Sequence, residues 1–161
     1  TLRTERASDE LRRCCGAPRW VEAMMAGRPY ATPHALLDAA DKAWWGLGAS
    51  DWQAAFACHP AIGAKADSGH QDARGEALSH AEQAGTAADS KATKKGLGDG
   101  NAAYRDRFGY TYIVCATGRS GEEMLDDLSR RLGNSPENEV RVAAGEQIKI
   151  THLRLEKLLK G

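Results

Sequence analysis

The chain has 161 residues, enough for one domain with a substantial core and too few to expect two. Lys plus Arg and Asp plus Glu number 22 each, so the formal charge is zero and no global field favours nucleic acid or an anionic membrane. No run nears the ~20 apolar residues of a membrane span, and the opening TLRTERASDE lacks the apolar stretch of a secretion signal, so a cytoplasmic setting is expected.

Helix punctuation recurs along the chain while period-2 alternation is almost absent. This predicts an all-α fold: a single multi-helix domain over 1–161 with one extended apolar segment and no substantial sheet. Ser8 is expected to cap a short helix carrying Leu11 and the pair Cys14-Cys15. Neither these two cysteines nor Cys58 and Cys115 show metal or disulfide spacing, which reads as reduced thiols. Pro18 suits the first turn of a helix through Met25 that stops at Gly27. Thr32-Pro33 opens the next, with Leu36, Leu37, Ala40 and Trp44 on one face before Gly46. Ser50 is expected to cap a helix through Cys58, and Trp44, Trp45 and Trp52 to lie in the core.

The polar, glycine-punctuated stretch 61–75 reads as a surface loop and a candidate lid, and Ser79 to Ala88 as a further helix. Lys91 to Phe108 has helical character, but GLGDG at 96–100 is a poor helix former, so a kink or break is expected there. Gly109 looks like its stop. YTYIVC, 110–115, is β-like, and as a lone apolar run it is expected to thread a helical core as extended chain. Ser120 opens a helix through Leu132, and Ser135-Pro136 opens the last, running to about Leu159. Lys94-Lys95, Asp126-Asp127 and Arg130-Arg131 read as solvated helix faces, and His34 and His80 as surface residues.

Three places can carry chemistry. His59, at a helix end beside Pro60, has the one side chain whose unperturbed pKa lies between pH 5 and 8. The pattern leaves two readings open, a polar helix terminus or a group that moves a proton. Its spacing to Cys58, His70 and His80 matches no metal signature, so no metal site is expected. Ser79-x-x-Glu82 is a capping box, yet Ser79, Glu82 and Gln83 also combine a hydroxyl, a carboxylate and an amide suited to a small molecule rich in N–H and C=O groups. On the last helix, Ala143, Gln147, Ile150 and Leu158 fall within ~40° of Arg154. A guanidinium in that mostly apolar arc needs a carboxylate partner, a ligand oxygen or a route to solvent.

Four blocks in order, WWGLGASDWQAAFACHPAIG, SHAEQAG, NAAYRDRFGYTYIVCATG and RRLGNSPENEVRVAAGEQIKITHLRLEKLL, together with RPY at 28–30, resemble one family over nearly the whole chain. It is the 2-oxo-4-hydroxy-4-carboxy-5-ureidoimidazoline (OHCU) decarboxylase family of urate catabolism. The resemblance implies a cofactor-free, all-α enzyme, commonly a homodimer, that converts OHCU to (S)-allantoin and CO2. It puts the family's catalytic histidine on His59, its binding glutamate on Glu82 with Ser79 at the start of that block, and its arginine on Arg154. It also implies ligand contacts from the main chain of Ile113, Val114, Cys115 and Ala116. Within such a pocket Pro60 is expected to form a rigid wall and Tyr110 to approach a ring face. Thr86 after EQAG and the GLGDG stretch depart from the family pattern and bear on the rigidity and closure of the site. The closing LKG and the lack of a fused hydrolase domain lead to the expectation of a free-standing bacterial enzyme. Two other functions fit the same residues: a non-catalytic helical module binding a ureide or a protein, and a hydrolase or isomerase acting on a neighbouring ureide.

Overall fold

A computed structural model describes residues 2–61 and 90–161, and every structural statement below refers to these. The helices among them are α1 (Leu2–Cys14), α2 (Pro18–Ala26), α3 (Pro33–Trp45), α4 (Ala49–Phe56), α5 (Lys91–Phe108), α6 (Gly121–Arg131) and α7 (Pro136–Leu159), and no described residue is in a strand. The expected 61–75 loop beyond Ala61 and the expected helix from Ser79 to Ala88 lie outside the described residues.

Hydroxyl caps and prolines set most of the starts. Thr32 accepts the amide of Ala35 at 3.0 Å, Ser120 that of Glu123 at 3.1 Å, and Ser135 that of Asn138 at 3.3 Å. Ser90, which had not stood out in the sequence, caps α5 through the amide of Thr93 at 3.1 Å. Two starts differ from expectation. α1 begins at Leu2, so Ser8 sits inside it. Its straight-chain residues favour helix, and Arg12–Asp9 and Arg13–Glu10 pairs at 3.0 and 3.1 Å link successive turns. α4 begins at Ala49 with Gly48 as its cap and ends at Phe56. The chain beyond it tightens into three-residue turns, Cys58 N–H to Ala55 O and His59 N–H to Phe56 O, both 3.1 Å. Pro60 explains the stop, because it disfavours helical backbone at His59 and brings no N–H of its own.

α7 is the spine, packing against α1, α3 and α4, while α5 packs on α6. The tryptophans cross-brace the bundle through buried indole N–H groups: Trp20 to Ala40 O at 3.2 Å, Trp44 to Ala144 O at 3.0 Å and Trp52 to Trp44 O at 3.0 Å. Trp45 is the exception, 47% exposed and edge-on to Trp52, so its expected core position is corrected: it sits one residue round the helix from buried Trp44.

The expected break at GLGDG does not occur, and α5 runs through it. A Cβ on Gly96 would lie 3.0 Å from Leu125 Cδ2, and one on Gly100 would lie 2.7 Å from Leu128 Cδ2. These glycines, four residues apart, let α6 close on α5, and the packing offsets their poor helix propensity. Next to them buried Asn101 accepts the amide of Tyr112 at 2.8 Å and donates to Thr111 Oγ1 at 3.1 Å. That holds the segment after Gly109, where Tyr110, Tyr112, Ile113, Val114 and Ala116 are buried without helix or strand, as expected of a threaded run.

Arg131 and Asp127 are not on a solvated face. Arg131 is 4% exposed and donates to Glu139 Oε2 from Nε and Nη2 at 2.8 and 2.6 Å, to Ile113 O at 2.7 Å and to Asp127 Oδ2 at 3.2 Å. Tyr104 also donates to Glu139, and Tyr112 to Asp127. Burial works against the Arg131 charge, but the Glu139 carboxylate outweighs it and pushes the guanidinium pKa up. The paired arginines are adjacent in sequence, so they point to different sides of the helix. Arg130 is the solvated one.

Candidate active site

Three chain segments bring two of the expected residues, His59 and Arg154, close together. Cys58 Sγ lies against Gly16, where an added Cβ would come within 2.3 Å of the sulfur. The turn between α1 and α2 therefore fits tightly under the end of α4, and His59 follows one residue later. α7 supplies the opposite side through Gln147, Thr151 and Arg154, which share a face at helical spacing and are all buried.

His59 Nε2 lies 2.6 Å from Gln147 Oε1. Gln147 in turn donates from Nε2 to Thr151 Oγ1 at 3.1 Å, and Thr151 reaches the carbonyls of Gln147 and Cys14 at 3.0 and 3.3 Å. Arg154, 4% exposed, donates from Nη1 to Arg13 O at 3.1 Å, the last turn of α1. The buried arc expected around Arg154 is observed at Ala143, Gln147 and Ile150.

Burial first, and the Arg154 charge second, push the His59 pKa from 6.5 down to about 3, against the hydrogen bond to Gln147, which raises it. The imidazole is neutral throughout the physiological range. The nearby thiols are not poised as nucleophiles: burial pushes Cys15 up to about 12 and raises Cys58, although Arg154 opposes both. None of the four cysteines forms a disulfide.

Pro60 is partly exposed beside His59. Tyr110 packs on Phe56 of α4 at 5.0 Å between ring centroids and on Phe108 at 6.3 Å, and among the described residues its buried hydroxyl has no hydrogen-bond partner. Ile113, Val114 and Ala116 are buried and Cys115 half-buried. Two main-chain groups of this run are engaged within the protein: Ile113 O by Arg131, and Cys115 N–H by Glu146 Oε1 at 3.2 Å. Glu146 precedes Gln147, so adjacent α7 residues reach the extended run and the imidazole. Ser79, Glu82 and Gln83 lie outside the described residues. Among the described residues, no group of three or more His, Cys, Asp or Glu side chains could hold a metal ion, and no helix is long and apolar enough to cross a membrane.

Gln147, Thr151 and Glu146 had not been singled out as site residues. The signal was present for Gln147, an uncharged polar side chain in the same apolar arc as Arg154, where burial obliges it to find a partner.

A family model described as OHCU decarboxylase matches residues 1–156. The "Uric acid degradation bifunctional protein TTL" of Arabidopsis thaliana is 34% identical over 155 residues, 96% of this chain, which spans only 48% of that longer protein. A "2-oxo-4-hydroxy-4-carboxy-5-ureidoimidazoline decarboxylase" of Amia calva is 32% identical over 144 residues, covering 86% of this chain and 78% of that protein. A crystal structure of OHCU decarboxylase in the presence of (S)-allantoin superposes with a TM-score of 0.81 at 32% identity, covering 95% of this chain and 99% of that one.

Proposed function

The chain belongs to the OHCU decarboxylase family, and from that premise we propose that it converts OHCU to (S)-allantoin and CO2 in urate breakdown, as a cofactor-independent carboxy-lyase. The observation that carries the reading is the neutral imidazole of His59, held on Gln147 with the Arg154 charge close by.

The chemistry suits those groups. The substrate carbon that loses CO2 bears a hydroxyl and a carboxylate. When the C–C bond breaks, its electron pair passes into the neighbouring C=N bond, the nitrogen takes a proton, and an ene-type intermediate forms. His59 accepts the hydroxyl proton as that carbon becomes a carbonyl, and protonation of one face of the intermediate sets the product's hand. Arg154 supports the reading through its charge. An anionic carboxylate near the guanidinium offsets the field that depresses the imidazole pKa, so substrate binding itself makes His59 a better base. Carried over from the family, Glu82 and Ser79 bind ureido or ring N–H and C=O groups, and the neighbouring Gln83 amide suits the same groups. The main chain of Ile113 to Ala116 and the Pro60 wall complete the pocket. A homodimer in the cytoplasm belongs to the same proposal, the first part from the family and the second consistent with four cysteines outside any disulfide.

The test is to generate OHCU freshly from urate and follow the circular dichroism of allantoin. Accelerated formation of the (S) enantiomer supports decarboxylation. Racemic decay at the uncatalysed rate overturns it, and saturable binding of the ureide without turnover would identify a binding module instead.

A further inference from the structure

The tautomer of the imidazole is legible from the hydrogen bonds behind it. Thr151 Oγ1 has one proton, and it lies within reach of two groups that only accept, Cys14 O at 3.3 Å and Gln147 O at 3.0 Å. The proton goes to a carbonyl, so Thr151 turns a lone pair to Gln147 and receives its Nε2–H at 3.1 Å. That fixes the orientation of the amide and aims Oε1 at His59, 2.6 Å away. Two acceptors cannot bond, so the His59 Nε2 carries the hydrogen. Gln147 and Thr151 are 0% and 1% exposed, so these bonds are made within the protein and set how the amide lies.

We propose that Gln147 is a positioning residue for the decarboxylation, accepting the Nε2–H of His59 and thereby leaving Nδ1 as the atom that takes the substrate's proton. Among the described residues Nδ1 has no hydrogen-bond partner. A glutamine does this differently from a carboxylate. It fixes ring and tautomer without an anion, so the imidazole stays neutral beside Arg154, and when Nδ1 gains a proton the Nε2–H bond to Oε1 becomes charge-assisted and strengthens. Thr151 and the end of α1 hold the glutamine, and Gln147 holds the histidine.

The inference rests on His59 being the base, and its first test does not depend on turnover. Ring-nitrogen resonances of the 15N-histidine-labelled protein at neutral pH, with His59 assigned by its loss in His59→Asn, should report the Nε2–H form. The Nδ1–H form overturns the proposal even if OHCU is turned over, whereas Nε2–H in a protein inert to OHCU sinks the function and leaves the geometry standing. In the second test, Gln147→Glu places a carboxylate against Nε2. The acid limb of kcat/KM should then move up by about one pH unit or more. Folded Gln147→Leu should lose kcat by at least about tenfold with KM within about threefold. An acid limb unmoved in Gln147→Glu, or wild-type kcat in Gln147→Leu, overturns the positioning role. Should the leucine variant fail to fold, the near-isosteric glutamate variant and the wild-type spectrum still decide.

Discussion

His59 is at once half-buried, uncharged and close to a fixed cation, and each property has a measurable consequence. Removing the imidazole by His59→Ala should abolish catalysed formation of (S)-allantoin while far-UV circular dichroism stays helical. Wild-type turnover in that variant would remove His59 from the mechanism. The depressed pKa also couples folding to pH. The unfolded chain binds a proton at His59 near pH 6.5, whereas the native state resists it down to about 3. Between those values the unfolded state holds more protons, so the His59 contribution to stability is complete above 6.5, falls as pH drops and levels off below about 3. Urea midpoints from pH 7 to pH 4 should therefore decline more steeply in the wild type than in His59→Asn, and parallel declines would show that the imidazole is not held neutral by the fold.

At the scale of elements, α5 shows how packing overrules propensity. Three glycines interrupt it, yet only two are needed for contact: Gly96 and Gly100 face α6, whereas Gly98 is exposed with nothing within 4 Å of its missing Cβ. Gly98→Ala should raise stability by about 1 kcal/mol, the helical preference of alanine over glycine. Gly100→Ala makes the same propensity gain but drives a methyl to 2.7 Å from a Leu128 that is 1% exposed and has nowhere to go. Overpacking of this kind costs about 1–3 kcal/mol, so the net change should be a loss or, at best, no gain. Thermal denaturation of the two variants side by side reads the contrast. Equal stabilisation by both would mean that α6 does not press on α5 at Gly100. The same comparison explains why the sequence misled at GLGDG: propensity is local, and the reason for the glycines lies in Leu125 and Leu128, some thirty residues away.

Across the whole molecule, what was legible came from short-range chemistry. Thr32-Pro33, Ser120 and Ser135-Pro136 marked helix starts because capping depends on only a few neighbouring residues, and the apolar arc around Arg154 followed from helical periodicity alone. The partner chosen by each buried polar residue was not legible, since it depends on tertiary proximity: Gln147 meets a histidine 88 positions away, and Arg131 looked like a surface charge beside Arg130. Arg131 gives the sharpest test of that difference. It links α6, the extended run at Ile113 and the start of α7, and its main partner Glu139 is 0% exposed. Arg131→Leu would leave that carboxylate buried without its cation, a loss of about 3–5 kcal/mol, or roughly 10 °C in Tm for a chain of this size. Because the penalty arises from an unpaired anion, removing that anion as well should relieve part of it, so Arg131→Leu/Glu139→Gln should melt above Arg131→Leu alone. A Tm change of only a degree or two would return Arg131 to the solvent-facing role its sequence suggests, and a double variant no more stable than Arg131→Leu would assign the loss to packing against Tyr104 and Tyr112 rather than to charge.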